Sequence, residues 1–144
     1  MGEEDLGDLL PLVRGYCDFY DVAPSDDALL GLSRTLIADP EREGVQFVAR
    51  SGEDGAAVGF ATVFWLWSTL SAGRIGLMND LFVAPEARGS GTAEALIERC
   101  RAACRERGAT RLTWQTAKDN LRGQAVYDRV GGTREEWLDY WLDA

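Results

Sequence analysis

The chain has no histidine among its 144 residues, one lysine (Lys118) against fourteen arginines, and three cysteines with no Cys-x-x-Cys pair. The missing histidine and the cysteine pattern each remove a class of chemistry. Without histidine there is no Cys/His or Ser/His nucleophilic pair, and Cys17, Cys100 and Cys104 alone do not make a zinc site. Cys100 and Cys104 stand four apart on the apolar face of an expected helix, where they read as small buried hydrophobes. Long hydrophobic runs are also missing. The longest apolar stretch, Val58 to Leu70, contains Gly59, Thr62, Ser68 and Thr69 and is too short and too polar to span a bilayer. The acidic N-terminus has neither the basic nor the apolar segment of a signal peptide. These absences lead us to expect a cytoplasmic protein with no bound metal.

What is present argues for a globular chain. A hydrophobic content of 46%, with five Trp, five Phe and four Tyr, supplies enough apolar surface to offset the entropy of ordering, and the length fits one domain spanning residues 1–144. The net charge of −9 is unevenly placed. Residues 1–55 hold 13 acidic and four basic residues, whereas residues 56–144 hold 11 of each. A field of that sign repels nucleic acid and anionic membrane, so neither is expected as a partner, and it concentrates small cations.

Apolar residues at helical spacing predict a helix over residues 6–20, with Asp5 as its cap, and Ser25-Asp26-Asp27 restarts the chain into a second helix ending at Ala38 before Asp39-Pro40. Strands are expected over Val45 to Arg50, Val58 to Trp67 and Arg74 to Val83. The first two are joined by a hairpin turn at Ser51 to Gly55 and the last two by Ser71-Ala72-Gly73. A helix then runs to Arg107, a strand covers Arg111 to Thr116, a shorter helix covers Leu121 to Val130, and a last strand covers Trp137 to Leu142. Hairpins followed by strand-helix-strand units predict an α/β fold with a sheet of mixed direction layered with helices.

Between the third strand and the third helix lies Val83-Ala-Pro-Glu-Ala-Arg-Gly-Ser-Gly-Thr-Ala93. The first N–H groups of a helix have no intrahelical partner and sit at the positive end of its dipole, which suits a pyrophosphate. Gly89 and Gly91 allow close approach of phosphate, and Arg88 adds a cationic fork. A Gly-x-Gly alone is weak; its place between strand and helix makes it informative.

The Arg88-x-x-Gly91-x-Ala93 signature after Asp80-Leu81-Phe82-Val83, together with Asn120, Gly123, Tyr127 and Gly131-Gly132 ahead of the last strand, resembles the GNAT (Gcn5-related) N-acetyltransferase family over about residues 5 to 142. The segment Asn79 to Val83 and the closing Trp137 and Tyr140 look most like the diamine and small-amine subgroup. The resemblance implies a mainly antiparallel sheet flanked by helices on both faces, with a splayed strand pair holding acetyl-CoA as cosubstrate. It implies that the backbone of Leu81, Phe82 and Val83 pairs with the pantetheine arm. Arg88, Gly89, Ser90, Gly91, Thr92, Ala93 and Glu94 would surround the pyrophosphate, and Asn120 would fix the cofactor near its thioester. Tyr127 is the implied general acid and the strand amide near Leu81 the oxyanion donor.

The acceptor side is less complete. The subgroup often carries a glutamate where Asn79 stands, and an amide takes no proton at neutral pH. Asp80 is the nearest carboxylate, but strand neighbours face opposite sides. A first strand ahead of the first helix is also missing. The two N-terminal helices of the family wall the acceptor cleft, so Asp18, Asp21, Asp26 and Asp27 are expected to attract a cationic amine, with Tyr16, Tyr20, Trp65 and Trp67 offering aromatic faces. The expected reaction is acetyl transfer to a primary amine by direct attack in a ternary complex. The alternatives are an idle acyl-CoA-binding sensor domain and a protein-amine acetyltransferase. Exposed strand edges and the aromatic C-terminal segment suggest a homodimer.

Overall fold

The computed structural model describes every residue except Glu53, so that position of the expected Ser51 to Gly55 turn lies outside the described residues. The sheet is organised around β2 (Ala57–Ser68), which pairs antiparallel with β1 (Gly44–Arg50) on one side and β3 (Gly73–Val83) on the other. Both faces of β2 are covered. Phe60 points toward α1 (Leu6–Phe19) and α2 (Asp26–Ala38), whereas Ala61, Val63 and Trp65 point toward α3 (Thr92–Glu106). A strand buried on both sides reads as a nearly continuous apolar run, which is why Val58 to Trp67 resembles a hydrophobic stretch in sequence.

The strand order is β1-β2-β3-β4, with β4 (Leu112–Thr113) parallel to β3. Only two residue pairs hold β4, Gly76 with Leu112 and Leu77 with Thr113, so the expected strand from Arg111 to Thr116 is cut to its centre. Beyond Leu77 the two chains diverge. No strand precedes α1, and β1 and the two-residue β4 are the edges of the sheet among the described residues.

Each helix has a local reason and a tertiary one. Leu6, Leu9 and Leu12 of α1 are buried with Phe60 and Ala84, and Gly15 lies where an added Cβ would come within 2.7 Å of the Phe82 ring. Asp5 does not cap α1. Its carboxylate accepts from the Gly2 amide (2.9 Å) and from Arg50 (2.7 Å). Ser25 caps α2, accepting from the Ala28 amide at 3.2 Å, and Asp26 and Asp27 complement the dipole. On α3, Leu96, Ile97, Cys100, Ala103 and Cys104 form the second core, and burial pushes the Cys100 thiol up to about 12, out of the reactive range. The last helix, α4 (Leu121–Arg129), is capped by Asn120, whose Oδ1 accepts from the Gly123 amide at 3.1 Å.

The expected last strand, Trp137 to Leu142, does not form. This segment touches the chain ahead of and after β4 through side chains. Gln115 donates to Asp139 at 2.6 Å, and Arg111 lies 4.0 Å from Glu135. Strand identity needs a backbone ladder, and Trp137, Leu138, Tyr140, Trp141 and Leu142 are instead left exposed.

Gly76 is the tightest point between the two halves of this architecture. A Cβ there would lie 2.5 Å from Cys104 Sγ and 3.1 Å from Val63 Cγ1, beside the first of the two pairs that hold β4. Gly76→Ala is therefore expected to destabilise the protein by about 1–3 kcal/mol, as overpacking of a filled core does. Urea unfolding measures it; an unchanged midpoint would show that Cys104 can move aside.

Candidate active site

Where β3 and β4 part, a cavity of ≈770 Å³ opens, lined by residues of α1, β3, the Gly-rich turn, the chain after β4, and α4. Its first wall is the outer edge of β3. The Ala84 amide bonds Val58 O, so by alternation the backbone of Phe82 faces β2 and that of Leu81 and Val83 faces the cleft. The edge therefore offers Leu81 and Val83 for main-chain pairing, and Phe82 contributes its ring rather than its backbone. Val83 O is already taken by Arg88 Nε at 2.9 Å, which fixes the arginine at the rim.

The second wall is the start of α3. Gly89 and Gly91 have φ of +80° and +84°, and an added Cβ at either would meet nothing within 4 Å. These two glycines are required by backbone conformation, and they turn the chain into a helix whose N-terminus no side chain of the described residues caps. Arg88, Gly89, Gly91, Thr92, Ala93 and Glu94 line the cavity. Ser90 does not. Its hydroxyl donates to Ala87 O at 2.6 Å and lies 2.8 Å from Thr92 Oγ1, which holds the turn. Open backbone donors at a positive helix end, with an arginine beside them, fit a pyrophosphate. Glu94 is held by Arg129 (2.6 Å), which keeps its carboxyl below the usual range and neutralises it beside that donor set.

At the other end stands Tyr127, half-buried, against Trp114 at 5.4 Å between ring centroids. Burial raises its phenol above the ordinary value, and a hydrogen bond with Thr116 opposes the rise. A phenol that keeps its proton at neutral pH is fit to donate it. Thr116 also accepts from Asn120 Nδ2 at 3.0 Å. Both polar atoms of Asn120 are thus engaged within the protein, so it orders Thr116 and the start of α4 as well as lining the cavity.

The acceptor side was hardest to read in sequence, and there a β-bulge sets which way each residue faces. Val63 pairs with Met78 and Thr62 with Asp80, leaving Asn79 as the extra residue. Asn79 lines the cavity. Asp80 turns to the α1 side, where Asn79 Nδ2 donates to it at 2.9 Å and the nearby hydroxyls of Thr62 and Tyr16 pull its pKa down, while the Tyr16 hydroxyl donates to Asn79 O at 3.2 Å. Behind it Gln46 Nε2 donates to Thr62 Oγ1 at 3.0 Å, leaving the Thr62 proton for Asp80; Gln46 Oε1 is buried without a partner. Burial is the largest influence on Asp80 and raises its pKa despite these bonds. Tyr16, which lines the cavity, stands between it and the carboxylate. Sequence reasoning passed over Gln46 and Thr62, whose only signal was two polar residues inside apolar strands.

Several expected acceptor residues lie elsewhere. Asp18, Asp21, Asp26 and Asp27 do not line the cavity, and Asp26 is bound by Arg14 Nε at 2.7 Å. Trp65 is buried on the α3 face and donates to Pro40 O at 2.9 Å, while Trp67 stacks on Arg74 at 4.5 Å. Strand alternation in β2 turns both away from α1. Tyr20 does line the cavity, 5.0 Å from Tyr16 and 5.0 Å from Phe19. Among the described residues no three His, Cys, Asp or Glu side chains converge on a metal position, and no helix is long and apolar enough to cross a membrane.

An open sheet with a splayed strand pair and an uncapped helix N-terminus at its mouth is the frame of an acyl-CoA-dependent transferase. Residues 13–132 match the acetyltransferase (GNAT) family, and the chain belongs to it. It is 34% identical over 128 residues to the uncharacterized N-acetyltransferase YhfO of Bacillus subtilis (strain 168), covering 88% of this chain and 83% of that protein. It is 26% identical over 140 residues to a thialysine N-epsilon-acetyltransferase of Caenorhabditis elegans, covering 94% and 84%. A crystal structure of a probable acetyltransferase superposes with a TM-score of 0.87 at 28% identity, over 100% of this chain and 95% of that one. The aminoglycoside N-acetyltransferase AAC(6')-Iy, solved with CoA, shares the fold at a TM-score of 0.85 and 21% identity, over 99% and 91%. The chain is an acetyl-CoA-dependent acyltransferase with the mixed, mostly antiparallel sheet of its family.

A carboxyl with a raised folded-state pKa binds its proton more tightly folded than unfolded. Its ionisation costs stability as pH rises from the ordinary 3.8 through the folded value. Asp80→Asn is therefore expected to raise the melting temperature at pH 7, with the difference closing below pH ~3.8 where both states are protonated. Thermal unfolding at the two pH values checks this. A variant less stable at pH 7 would show that the hydrogen bonds outweigh the burial.

Proposed function

We propose that the protein transfers the acetyl group of acetyl-CoA to the primary amine of a small molecule by direct attack in a ternary complex. The observation that carries this is one continuous cavity joining the open N-terminus of α3 to Tyr127 and Tyr16. Acetyl-CoA supplies an activated acyl group on a thiol that leaves readily once protonated. The amides of Gly89 to Glu94 and the Arg88 guanidinium hold its pyrophosphate, and the Leu81 and Val83 edge of β3 pairs with its arm. The Leu81 amide is the oxyanion donor.

Asp80 is the general base. The incoming ammonium gives its proton to the Tyr16 hydroxyl, which passes its own to Asp80, so the tyrosine never becomes a phenolate. The amine lone pair then forms the C–N bond as the C–S bond breaks; Tyr127 gives its proton to the departing sulfur and regains one from the nitrogen, which sheds its second proton as the amide forms. No cysteine lines the cavity among the described residues, which favours direct attack over a covalent acetyl-enzyme. The asparagine at position 79 leaves Asp80 as the carboxylate for this task.

We place residues 1–144 in a single GNAT domain working in the cytoplasm as a homodimer. The exposed Trp137, Tyr140 and Trp141 support association, since clustered exposed aromatics favour burial against a second surface. Sedimentation should give about twice the chain mass of 15.8 kDa. Trp137→Ser with Trp141→Ser should return the monomer, and a wild-type monomer at all concentrations would remove the dimer.

The decisive assay is CoA release from acetyl-CoA across a panel of amines. Tyr127→Phe should lower kcat by about tenfold or more with KM for acetyl-CoA little changed, as loss of a general acid does. Asp80→Asn should abolish the rise of kcat/KM with pH. A thermal shift with CoA but no turnover on any amine would favour an acyl-CoA-binding module instead.

A further inference from the structure

The acceptor end of the cavity is walled by aromatic rings. Tyr16, Phe19 and Tyr20 come from the end of α1, and Trp114 and Tyr127 face them from the chain after β4 and from α4. The two groups are close, for Tyr20 bears on the ionisation of Tyr127. Phe19 and Tyr20 are 63% and 48% exposed, an apolar surface left open to the cavity rather than folded into either core. Charge runs the other way from the acidic character of residues 1–55. The ionisable groups that line the cavity, tyrosines aside, are Arg88, Arg122, Arg129 and Glu94, and Glu94 is already paired with Arg129. Among the described residues, the carboxylate at the acceptor end is Asp80, set behind Tyr16.

We infer that the acceptor is a primary monoamine carrying an aromatic or flat apolar group, and not a polycation. This rests on the acetyltransferase reading above and narrows it. One ammonium has one proton acceptor to meet, Asp80 by way of Tyr16. A second ammonium a few bonds away would face rings, with no carboxylate among the described residues lining that end to replace its water. A planar ring in the same place stacks on Phe19 and Tyr20 and covers their exposed faces. The aspartates of the α1–α2 corner lie outside the cavity and draw cations toward the mouth without selecting among them.

The test is kcat/KM at saturating acetyl-CoA for phenethylamine and tryptamine against n-butylamine, putrescine, spermidine, kanamycin and a lysine peptide. The arylethylamines should lead n-butylamine and every polycation by about tenfold or more, the discrimination one well-placed aromatic contact supplies. Phe19→Ala and Tyr20→Ala, both at exposed positions where folding is not at stake, should each raise KM for phenethylamine several-fold. KM for acetyl-CoA should be unchanged. A preference for spermidine, kanamycin or the peptide, or an unaltered phenethylamine KM in both variants, would overturn this inference and leave the acetyltransferase reading standing. No turnover on any amine would overturn both.

Discussion

Two residue pairs hold β4 to β3, and the working part of the molecule depends on the ladder stopping there. Had Met78 to Val83 gone on pairing with the chain after Thr113, the edge groups of Leu81 and Val83 would be consumed and the space between the strands closed. The bulge at Asn79 falls just past the last pair, and it re-aims β3 where the strands part. Gly76 permits the close packing of Cys104 and Val63 at the first of those two pairs, so a crowded contact adjoins the opening of the cavity.

From that parting the cavity acquires two chemically different ends. One is backbone: the glycine turn and the start of α3, where donors lack partners because the first turn of any helix lacks them. The other is side chain, with Tyr127 tied to Thr116 and Asp80 to Thr62, Asn79 and Tyr16. Tyr127 and Asp80 both sit partly buried, and in both cases burial raises the pKa while hydrogen bonds pull it down. A phenol so treated remains a donor, and a carboxylate so treated becomes a better proton acceptor. A chain without histidine has few other ways to place proton-transfer groups near neutral pH.

Much of the architecture was legible because it is locally encoded. The three long strands, four helices, the chain restart at Ser25-Asp26-Asp27 and the Gly89/Gly91 turn appear within a residue or two of where periodicity and turn chemistry put them. Asp5 was misread because a cap position in sequence says nothing of Arg50, which arrives from 45 residues away and claims the carboxylate. The segment Trp137 to Leu142 has strand composition, yet composition cannot supply the partner that a ladder needs. Trp65 and Tyr20 looked alike as candidates; the first is fixed on the α3 face by the phase of β2, and the second projects into the cavity from the end of α1.

The sequence by itself determined the element order as far as α4, the Gly89/Gly91 turn and the absence of histidine chemistry. Each of these follows from spacing, backbone freedom and residue type, which act over a few residues. Tertiary structure alone decided that Asp80 lies behind Tyr16 and what lines the acceptor end of the cavity. A one-residue bulge reverses the facing of every side chain beyond it, and a cavity's charge depends on which of the acidic residues the fold turns inward. The aspartates that dominate the composition stay outside, and Asp80, inconspicuous among them, is the one brought within reach.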